Sequence, residues 1–201
     1  MALTASAQER LKKIAERLDS RSPLQPLAPQ RVWDAGLESE IGALEKELGA
    51  AGGTKAGIAL IAGLYLRNDS LSRSHSYAQE IEDDVTGAYW HGLMHRMEGD
   101  YWNSKYWFRR VGSHAAMKNV CERTAGYLRG EANLDALPAG AVRDKLGSLA
   151  QARSWDAALF VDLVEQQVQG RAPEAARSVL EEIQRIELSE LYAYTLGKAS
   201  E

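Results

Sequence analysis

The chain has 201 residues, of which 45% are hydrophobic and 26% are charged, and its formal net charge is −4 with a pI near 5.7. These values are ordinary for a folded globular protein, and the length is enough for one substantial core or two small ones. The mildly acidic balance excludes the overall positive field that nonspecific nucleic-acid binding requires, so we do not expect a nucleic-acid partner.

The cysteine content and the apolar runs indicate the cellular compartment in which the protein is expected. Cys121 is the only cysteine, which rules out an intramolecular disulfide and fits a reducing compartment. No N-terminal apolar run has signal-peptide length, and the longest apolar stretch, residues 56–66, is too short to span a bilayer. We therefore expect a cytoplasmic protein that does not bind membranes.

The apolar spacing is helical along most of the chain, and no segment alternates as a strand does, so the sequence predicts an all-α fold. Residues 1–29 are predicted to form an N-terminal helix followed by a proline-rich connector, SPLQPLAP. Apolar residues then recur with helical spacing over 33–48, and GAAGG breaks that helix. Thr54 is predicted to cap the next helix, over 55–67.

The central region is predicted to form antiparallel helical hairpins. A helix over 70–82 is followed by a turn at 83–86 and a second helix over 87–98. Gly99 and Asp100 turn the chain again, and Asp100 is well suited to cap a helix over 101–111.

The C-terminal third is predicted to contain a further helix, through Met117 and Leu128, and then a loop over 130–140. Ser154 is predicted to cap a helix over 155–168, and Pro173 suits the first turn of the last long helix. We predict one helical domain over 1–201, in which the hairpins of 54–112 carry the candidate site and 154–201 form a C-terminal hairpin.

The central hairpins contain a degenerate internal repeat. A shift of 30 residues places small residues on one another, Ala62 on Gly92 and Ser74 on Ser104, as close packing of two helices requires. The repeat resembles the tetratricopeptide pattern through Gly92, Gly99, Tyr101, Ser104 and Phe108. This resemblance implies antiparallel hairpins stacked as a bundle or a short TPR-like array, with a groove that binds peptides or partner proteins.

A second resemblance rests on two short blocks. Trp90 to Arg96 reads W-H-x-x-x-H-R, and Tyr106 to Gly112 reads Y-W-x-R-R-V-G. Together they resemble a helical family found in bacteria and fungi. This resemblance implies no particular function.

All four histidines lie within 40 positions, and three of them are predicted to converge. His91 and His95 are four residues apart and share a helix face, and Glu98 continues the same stripe. His75 lies on the inner face of the preceding helix, as far before a turn near Asp83 as His91 lies after it. Antiparallel helices would therefore hold these side chains at one level, where zinc, iron or nickel could bind.

Polar packing is the alternative for the same histidines. His75 could be a core histidine bonded to a backbone carbonyl, and His91 and His95 could stack on aromatic side chains in a groove. The zincin order, with glutamate directly after the first histidine, is absent, because Gly92 occupies that position. The sequence leaves both interpretations open.

The segment KYWFRRVG combines basic and aromatic residues. Lys105 and Arg109 form a basic ridge beside Tyr106 and its aromatic neighbours, and guanidinium is a good donor to carboxylate or phosphate. Ion pairs with nearby acidic residues are the alternative for these cations, and core packing is the alternative for the rings.

Three functional hypotheses follow. The first is a helical-hairpin binding protein whose groove holds a small anionic ligand or a protein segment through His75, His91, His95, Tyr106 and Arg109. The second is a metal-dependent enzyme, possibly a hydrolase, with a divalent transition metal on His75, His91, His95 and Glu98, and with Asp100 or another carboxylate as base. The third is a module for homo-oligomerisation, for which the last helix offers Leu180, Ile183, Ile186 and Leu191.

Overall fold

The computed structural model describes residues 4–200, so the first three residues of the predicted N-terminal segment and the last residue of the predicted C-terminal hairpin lie outside the described part. Residues 4–200 contain no strand, and the predicted all-α fold is confirmed. In this range, none of the helices has both the length and the apolar character needed to cross a lipid bilayer. The helices are α1 (Ala5–Asp19), α2 (Ala35–Leu48), α3 (Lys55–Arg67), α4 (Leu71–Gln79), α5 (Val85–Glu98), α6 (Tyr101–Val111), α7 (Ala116–Gly130), α8 (Ala141–Ala150), α9 (Ala157–Val168) and α10 (Arg177–Ala199), with short 3-10 turns at Gly49–Ala51, Leu134–Ala136 and Glu174–Ala176.

Two of the predicted caps are confirmed. The Thr54 side chain accepts a hydrogen bond from Gly57 N at 3.1 Å, and Asp100 accepts one from Asn103 N at 3.1 Å. Each cap satisfies a backbone N–H that the first helical turn leaves without a partner. Because these caps fix where the chain enters each helix, α3 and α6 have the predicted bounds.

Other helix ends differ from the prediction because an unrecognised cap operates. Asp84 accepts from Thr86 N and Gly87 N, so α5 begins within the predicted turn, and α4 ends before residue 82. Asp156, and not Ser154, accepts from Leu159 N and starts α9 at Ala157. The capping aspartate sets the first residue of each helix, which places the start of α5 two residues earlier and the start of α9 two residues later than predicted.

Two further corrections concern the C-terminal third. The predicted loop over 130–140 contains a 3-10 turn and leads directly into α8, a helix that the sequence analysis did not identify. Pro173 precedes a 3-10 turn, and α10 begins only at Arg177.

Helices that follow one another in the chain pack as pairs, and the last helix joins the pairs together. The contacts of α4 with α3 and α5, and of α5 with α6, form the central hairpins. The 23-residue α10 packs on α3, α7 and α9, while α6 also packs on α9. The hairpins are thus gathered into a bundle around α10 and share one hydrophobic core.

Close contact between α5 and α6 depends on a small residue at the crossing. A Cβ atom at Gly92 would lie 3.3 Å from Trp107 Cβ, and Ser104 Oγ donates to the Gly92 carbonyl oxygen at 2.7 Å. Gly92 and Ser104, the small residues of the second repeat unit, therefore lie where α5 crosses α6. The two backbones approach closely there because no bulky side chain lies between them.

A buried ion pair joins α5 to α10. Arg96 Nη1 donates to Glu187 Oε2 at 2.6 Å, and both side chains are fully buried. Tyr89 Oη and Trp155 Nε1 donate to the other carboxylate oxygen at 2.9 and 2.8 Å. The Arg96 guanidinium lies 4.6 Å from the Phe160 ring centroid. Three donors to one carboxylate offset the free-energy cost of removing it from water. An unpaired buried charge would have no such compensation.

Loss of the Glu187 charge is expected to destabilise the bundle. Glu187→Gln leaves Arg96 charged and buried without a counterion, and we expect the free energy of unfolding to fall by about 3–5 kcal/mol in urea denaturation. The double variant Glu187→Gln, Arg96→Met removes the orphaned charge and should recover part of the loss. A change below about 1 kcal/mol in Glu187→Gln would contradict this role for the ion pair.

Candidate functional site

Three histidine rings from two helices meet at one place. The ring centroids of His75 and His91 lie 4.9 Å apart, those of His75 and His95 5.3 Å, and those of His91 and His95 4.6 Å. One ring nitrogen from each residue can be chosen so that all three lie within 4.8 Å of one another. The predicted convergence of the three imidazoles is confirmed, and their binding role stays a prediction.

The hairpin of α4 and α5 produces this convergence. His91 and His95 lie one helical turn apart on α5, and their rings stack with an interplanar angle of 18°. His75 lies on α4 at the level of both, because α4 and α5 are antiparallel and joined by a short turn. Its ring meets that of His95 nearly edge-on, at 71°.

His91 is the buried centre of the cluster. It is only 2% exposed, and its ring stacks on Trp107 of α6 with centroids 4.2 Å apart and an interplanar angle of 21°. Neither ring nitrogen has a hydrogen-bond partner among residues 4–200. Because buried polar atoms in native proteins nearly always have partners, this orphaned imidazole requires an explanation.

His95 is held from both sides by polar groups. Its Nδ1 lies 2.5 Å from Glu98 Oε1, and its Nε2 lies 3.0 Å from Asn103 Nδ2. With Nδ1 as the donor to the carboxylate, the Nε2 lone pair accepts from Asn103 Nδ2. Glu98, which the sequence places among the metal ligands, is therefore bonded to a histidine, and this contact fixes the orientation of the ring.

Two other carboxylates lie at the edge of the cluster. Glu82 Oε1 is 3.9 Å from His91 Nδ1, beyond hydrogen-bond distance, and the Glu82 side chain is 45% exposed. Asp100 has an oxygen within 4.8 Å of donor atoms of His95 and Glu98, but it also caps α6. Within the described residues Glu82 caps no helix, and its carboxylate lies near Nδ1, one of the two His91 nitrogens that lack a partner there.

Burial keeps two of the three imidazoles neutral. Desolvation, with further contributions from the neighbouring His95 and His75, lowers the pKa of His91 to about 3. Desolvation also lowers the pKa of His75, with a second contribution from His95, while Glu98 and Glu82 act in the opposite direction. Burial disfavours a charged imidazolium, so both rings keep their lone pairs near neutral pH.

The remaining predicted binding residues lie on other sides of α6. Tyr106 contacts Trp107, with ring centroids 5.4 Å apart, and its hydroxyl accepts from Arg110 Nη1 at 3.2 Å. Arg109 is exposed and lines a separate cavity on the opposite flank of α6. The structure therefore does not bring Arg109 into one groove with the three histidines.

The fourth histidine and the cysteine lie outside the cluster. His114 Nδ1 accepts from Ala116 N at 3.1 Å, its Nε2 contacts Thr86 Oγ1 at 3.2 Å, and burial lowers its pKa. Cys121 is buried, and desolvation raises the pKa of its thiol. Both have the surroundings of structural side chains.

Sequence reasoning missed two neighbours of His91, Trp107 as its stacking partner and Glu82 as its nearest carboxylate. A signal for the first was present, because His91 and Trp107 are equidistant in sequence from the Gly99 turn, as are His95 and Asn103. The symmetry argument that paired His75 with His91 across the first turn applies equally to the second turn.

No protein-family model matches the chain, and comparisons with curated proteins and with solved structures give no significant match. The tetratricopeptide resemblance and the bacterial and fungal resemblance therefore stay predictions. Function must be inferred from the chemistry of this chain alone.

Acid is expected to destabilise the metal-free protein through these buried imidazoles. Unfolded histidine takes up a proton near pH 6.5, whereas folded His91 stays neutral down to about pH 3, so its contribution is complete above pH 6.5 and declines as the pH falls. Between pH 6.5 and 5, the free energy of unfolding should fall by about 1 kcal/mol per pH unit for this group.

His91→Phe tests this linkage, since phenylalanine can keep the ring stack on Trp107 but cannot be protonated. Urea denaturation of both proteins at pH 7.5, 6.5 and 5 should show a flatter pH dependence in the variant. Equal slopes in the two proteins would show that His91 is not the neutral buried group described here.

Proposed function

We propose that the protein binds a divalent transition-metal ion through His75, His91 and His95. One observation carries the proposal: three imidazoles from two helices converge around a buried histidine that has no hydrogen-bond partner within residues 4–200. Imidazole nitrogen is the commonest metal ligand among protein side chains and suits zinc, iron, nickel and copper. A bound ion would give one of the two His91 nitrogens the partner that it lacks.

The protonation state of the cluster supports this assignment. A metal ion binds only neutral imidazole, so protons compete with the metal for every ligand. The lowered pKa values of His75 and His91 reduce that competition at neutral pH. The neutral His75 and His91 rings also lie side by side without the charge repulsion that two imidazolium ions at this distance would have.

The contact between Glu98 and His95 supports it further. Metal-bound histidines usually donate their other ring N–H to a carboxylate or carbonyl, which fixes the ring and makes it a better ligand. Glu98 Oε1 at 2.5 Å from His95 Nδ1 has this relation and leaves Nε2 for the ion. Asn103 Nδ2, now 3.0 Å from Nε2, would have to move aside. We therefore assign Glu98 to orienting His95 and not to binding the ion.

The separation of the donor atoms is compatible with a common ion after small movements. Two nitrogens bound to zinc at about 2.1 Å in tetrahedral geometry are roughly 3.4 Å apart, whereas the three nitrogens here lie within 4.8 Å of one another. Ring rotations that bring the most distant pair closer by about 1.4 Å would suffice. His75, the partly exposed member, has the most room to move.

A hydrolytic role follows if the bound ion is catalytic. Three protein ligands leave one coordination position for water or substrate, and a bound ion of this kind acidifies water. Glu82 is the carboxylate suited to accept a proton there, because its Oε1 lies 3.9 Å from His91 Nδ1 and it caps no helix within residues 4–200. Asp100, the base named from the sequence, is engaged at the start of α6.

A small anionic ligand is a second candidate, and a cavity on the other flank of α6 favours it. The cavity has a volume of about 380 Å³, and Phe108, Met117 and Trp155 form part of its wall. Ligand sites of small molecules have volumes of about 300–1,000 Å³ and are mostly apolar, with a few polar groups that orient the ligand. This site would be separate from the metal cluster.

The charge of this cavity favours an anion. Lys105 is paired with Asp162, and the Asp156 carboxylate caps α9. Arg109 forms no ion pair within the described residues, which leaves its guanidinium as the unengaged charge of the wall. A carboxylate or phosphate group would bind there through the planar donor edge of guanidinium.

Metal binding is tested on protein purified without an affinity tag and dialysed against a chelator. We expect calorimetry to show one zinc ion per chain and a higher Tm with zinc, and cobalt(II) should give the visible absorption of a nitrogen-ligated site. His91→Phe should lose this binding while remaining folded, since the stack on Trp107 is kept. His114→Gln, which changes a histidine outside the cluster, should keep it.

Absence of stoichiometric binding of zinc, nickel, iron and cobalt by the wild-type protein would refute the metal proposal. Equal affinity in wild-type protein and His91→Phe would refute the assignment of its ligands.

The anionic-ligand candidate is tested with benzoate, which combines an aromatic body with a carboxylate. Benzoate should shift the NMR signals of Trp155 and Phe108, and Arg109→Gln should weaken its binding by roughly tenfold, the effect of losing one charge-assisted contact. Arg143→Gln, a change on the surface of α8, serves as the control. Unchanged affinity in Arg109→Gln would eliminate this site.

A further inference from the structure

A second, smaller cavity lies away from the histidine cluster, where α1, the connector after it, α3 and α10 meet. Its volume is about 40 Å³. A single water needs roughly 10–15 Å³, so this space holds a few waters or one small polyatomic ion, and no cofactor. Besides three leucines, its wall consists of the polar side chains of Asp19, Arg21, Gln25, Arg67, Arg185 and Ser189.

The Asp69 carboxylate beside this cavity is already saturated with donors. Arg21 Nη1 and Nη2 donate to its two oxygens at 3.0 and 2.6 Å, and Gln25 Nε2 donates to it at 2.6 Å. The side chains of Arg21 and Asp69 are 9% and 4% exposed. This buried pair holds the connector against the end of α3, where Gln25 also donates to the Leu66 carbonyl oxygen at 2.8 Å.

Arg67 is less well compensated than Arg21. Its side chain is 7% exposed, whereas that of its ion-pair partner Asp19 is 62% exposed. Water screens the carboxylate much more than the guanidinium, so the attraction only partly offsets the cost of burying the positive charge. The guanidinium also lies over the Tyr192 ring, 4.6 Å from its centroid, and within residues 4–200 Asp19 is its only ion-pair partner.

The guanidinium groups retain donors that have no acceptor. Arg21 Nε and Arg67 Nη1 are buried and lack hydrogen-bond partners within residues 4–200. The third arginine of the wall, Arg185, uses Nε and Nη2 on Glu182. An unmade hydrogen bond from a buried donor is costly, so the group that complements this wall offers acceptors and negative charge.

We propose that this cavity binds a small oxyanion, either free phosphate or the phosphoryl or carboxylate group at the end of a larger ligand. Guanidinium matches such oxygens in geometry and charge, and three guanidiniums from three separate segments of the chain line the same space. Asp19 also lines it and opposes an anion, but its exposure to water weakens that repulsion. The site shares no residue with the proposed metal ligands.

The proposal is tested on metal-free protein by titration with inorganic phosphate, followed by calorimetry and by thermal unfolding at constant ionic strength. Phosphate should raise Tm saturably, whereas chloride at the same ionic strength should not. Arg185→Gln changes a partly exposed side chain and should leave the fold intact, and we expect it to weaken phosphate binding by roughly tenfold. Arg67→Met should abolish the binding.

Matched variants keep the result unambiguous. Arg67→Met is expected to fold, because the partner that it leaves unpaired is solvent-exposed, and circular dichroism checks this. If it does not fold, Arg185→Gln decides. Arg143→Gln on α8 should respond to phosphate as the wild type does. A response lost in Arg109→Gln and kept in Arg185→Gln would assign phosphate to the other cavity and overturn the proposal.

Methyl phosphate and acetate distinguish the sources of the oxyanion. Equal or tighter binding of methyl phosphate indicates the end of a larger phosphorylated ligand, tighter binding of acetate indicates a carboxylate, and preference for inorganic phosphate indicates the free ion. If none of the three raises Tm more than chloride does, the cavity is not an oxyanion site.

Discussion

The burial of α5 is the constraint on which the rest of the structure depends. Every residue from Gly87 to Met97 is buried, yet this helix carries two histidines and an arginine. Polar groups without water need partners from elsewhere in the chain. Arg96 finds Glu187, and His95 finds Glu98 and Asn103. His91 alone, packed flat on Trp107, has no hydrogen-bond partner within residues 4–200, and the functional interpretation starts from that difference.

Helix α6 has a different candidate site on each of two flanks, although the residues that line the two sites are close together in the sequence. The flank with Asn103 and Trp107 faces the histidines, and the flank with Lys105 and Arg109 faces a ligand-sized cavity toward α9. A helix has a different neighbour on each side, so residues that are adjacent in sequence need not share a site. The metal cluster and the cavity beside Arg109 are therefore independent hypotheses, although both depend on the same helix.

Local rules predicted much of this arrangement. Apolar periodicity identified the all-α fold, the caps at Thr54 and Asp100 fixed two helix starts, and symmetry about a turn brought His75 beside His91. The sequence could not indicate that Asp84 and Asp156 would form the caps, so the starts of α5 and α9 were misplaced. Nor could it identify Glu187 as the partner of Arg96, because that pairing spans most of the core and depends on how α10 crosses the bundle. Long-range polar contacts of this kind follow from tertiary packing, which periodicity does not encode.

The ion pair between α5 and α10 also means that the candidate site is not a self-contained unit. The site residues all lie on α4, α5 and α6 and are close together in sequence. Arg96, which follows His95 directly, is nevertheless neutralised by Glu187 of the last helix. A fragment excised around the histidines would retain all its donor atoms but would expose a cationic, aromatic-rich helix face to water. Such a peptide would therefore lack the dry, fixed geometry that distinguishes a selective site from a flexible histidine-rich segment.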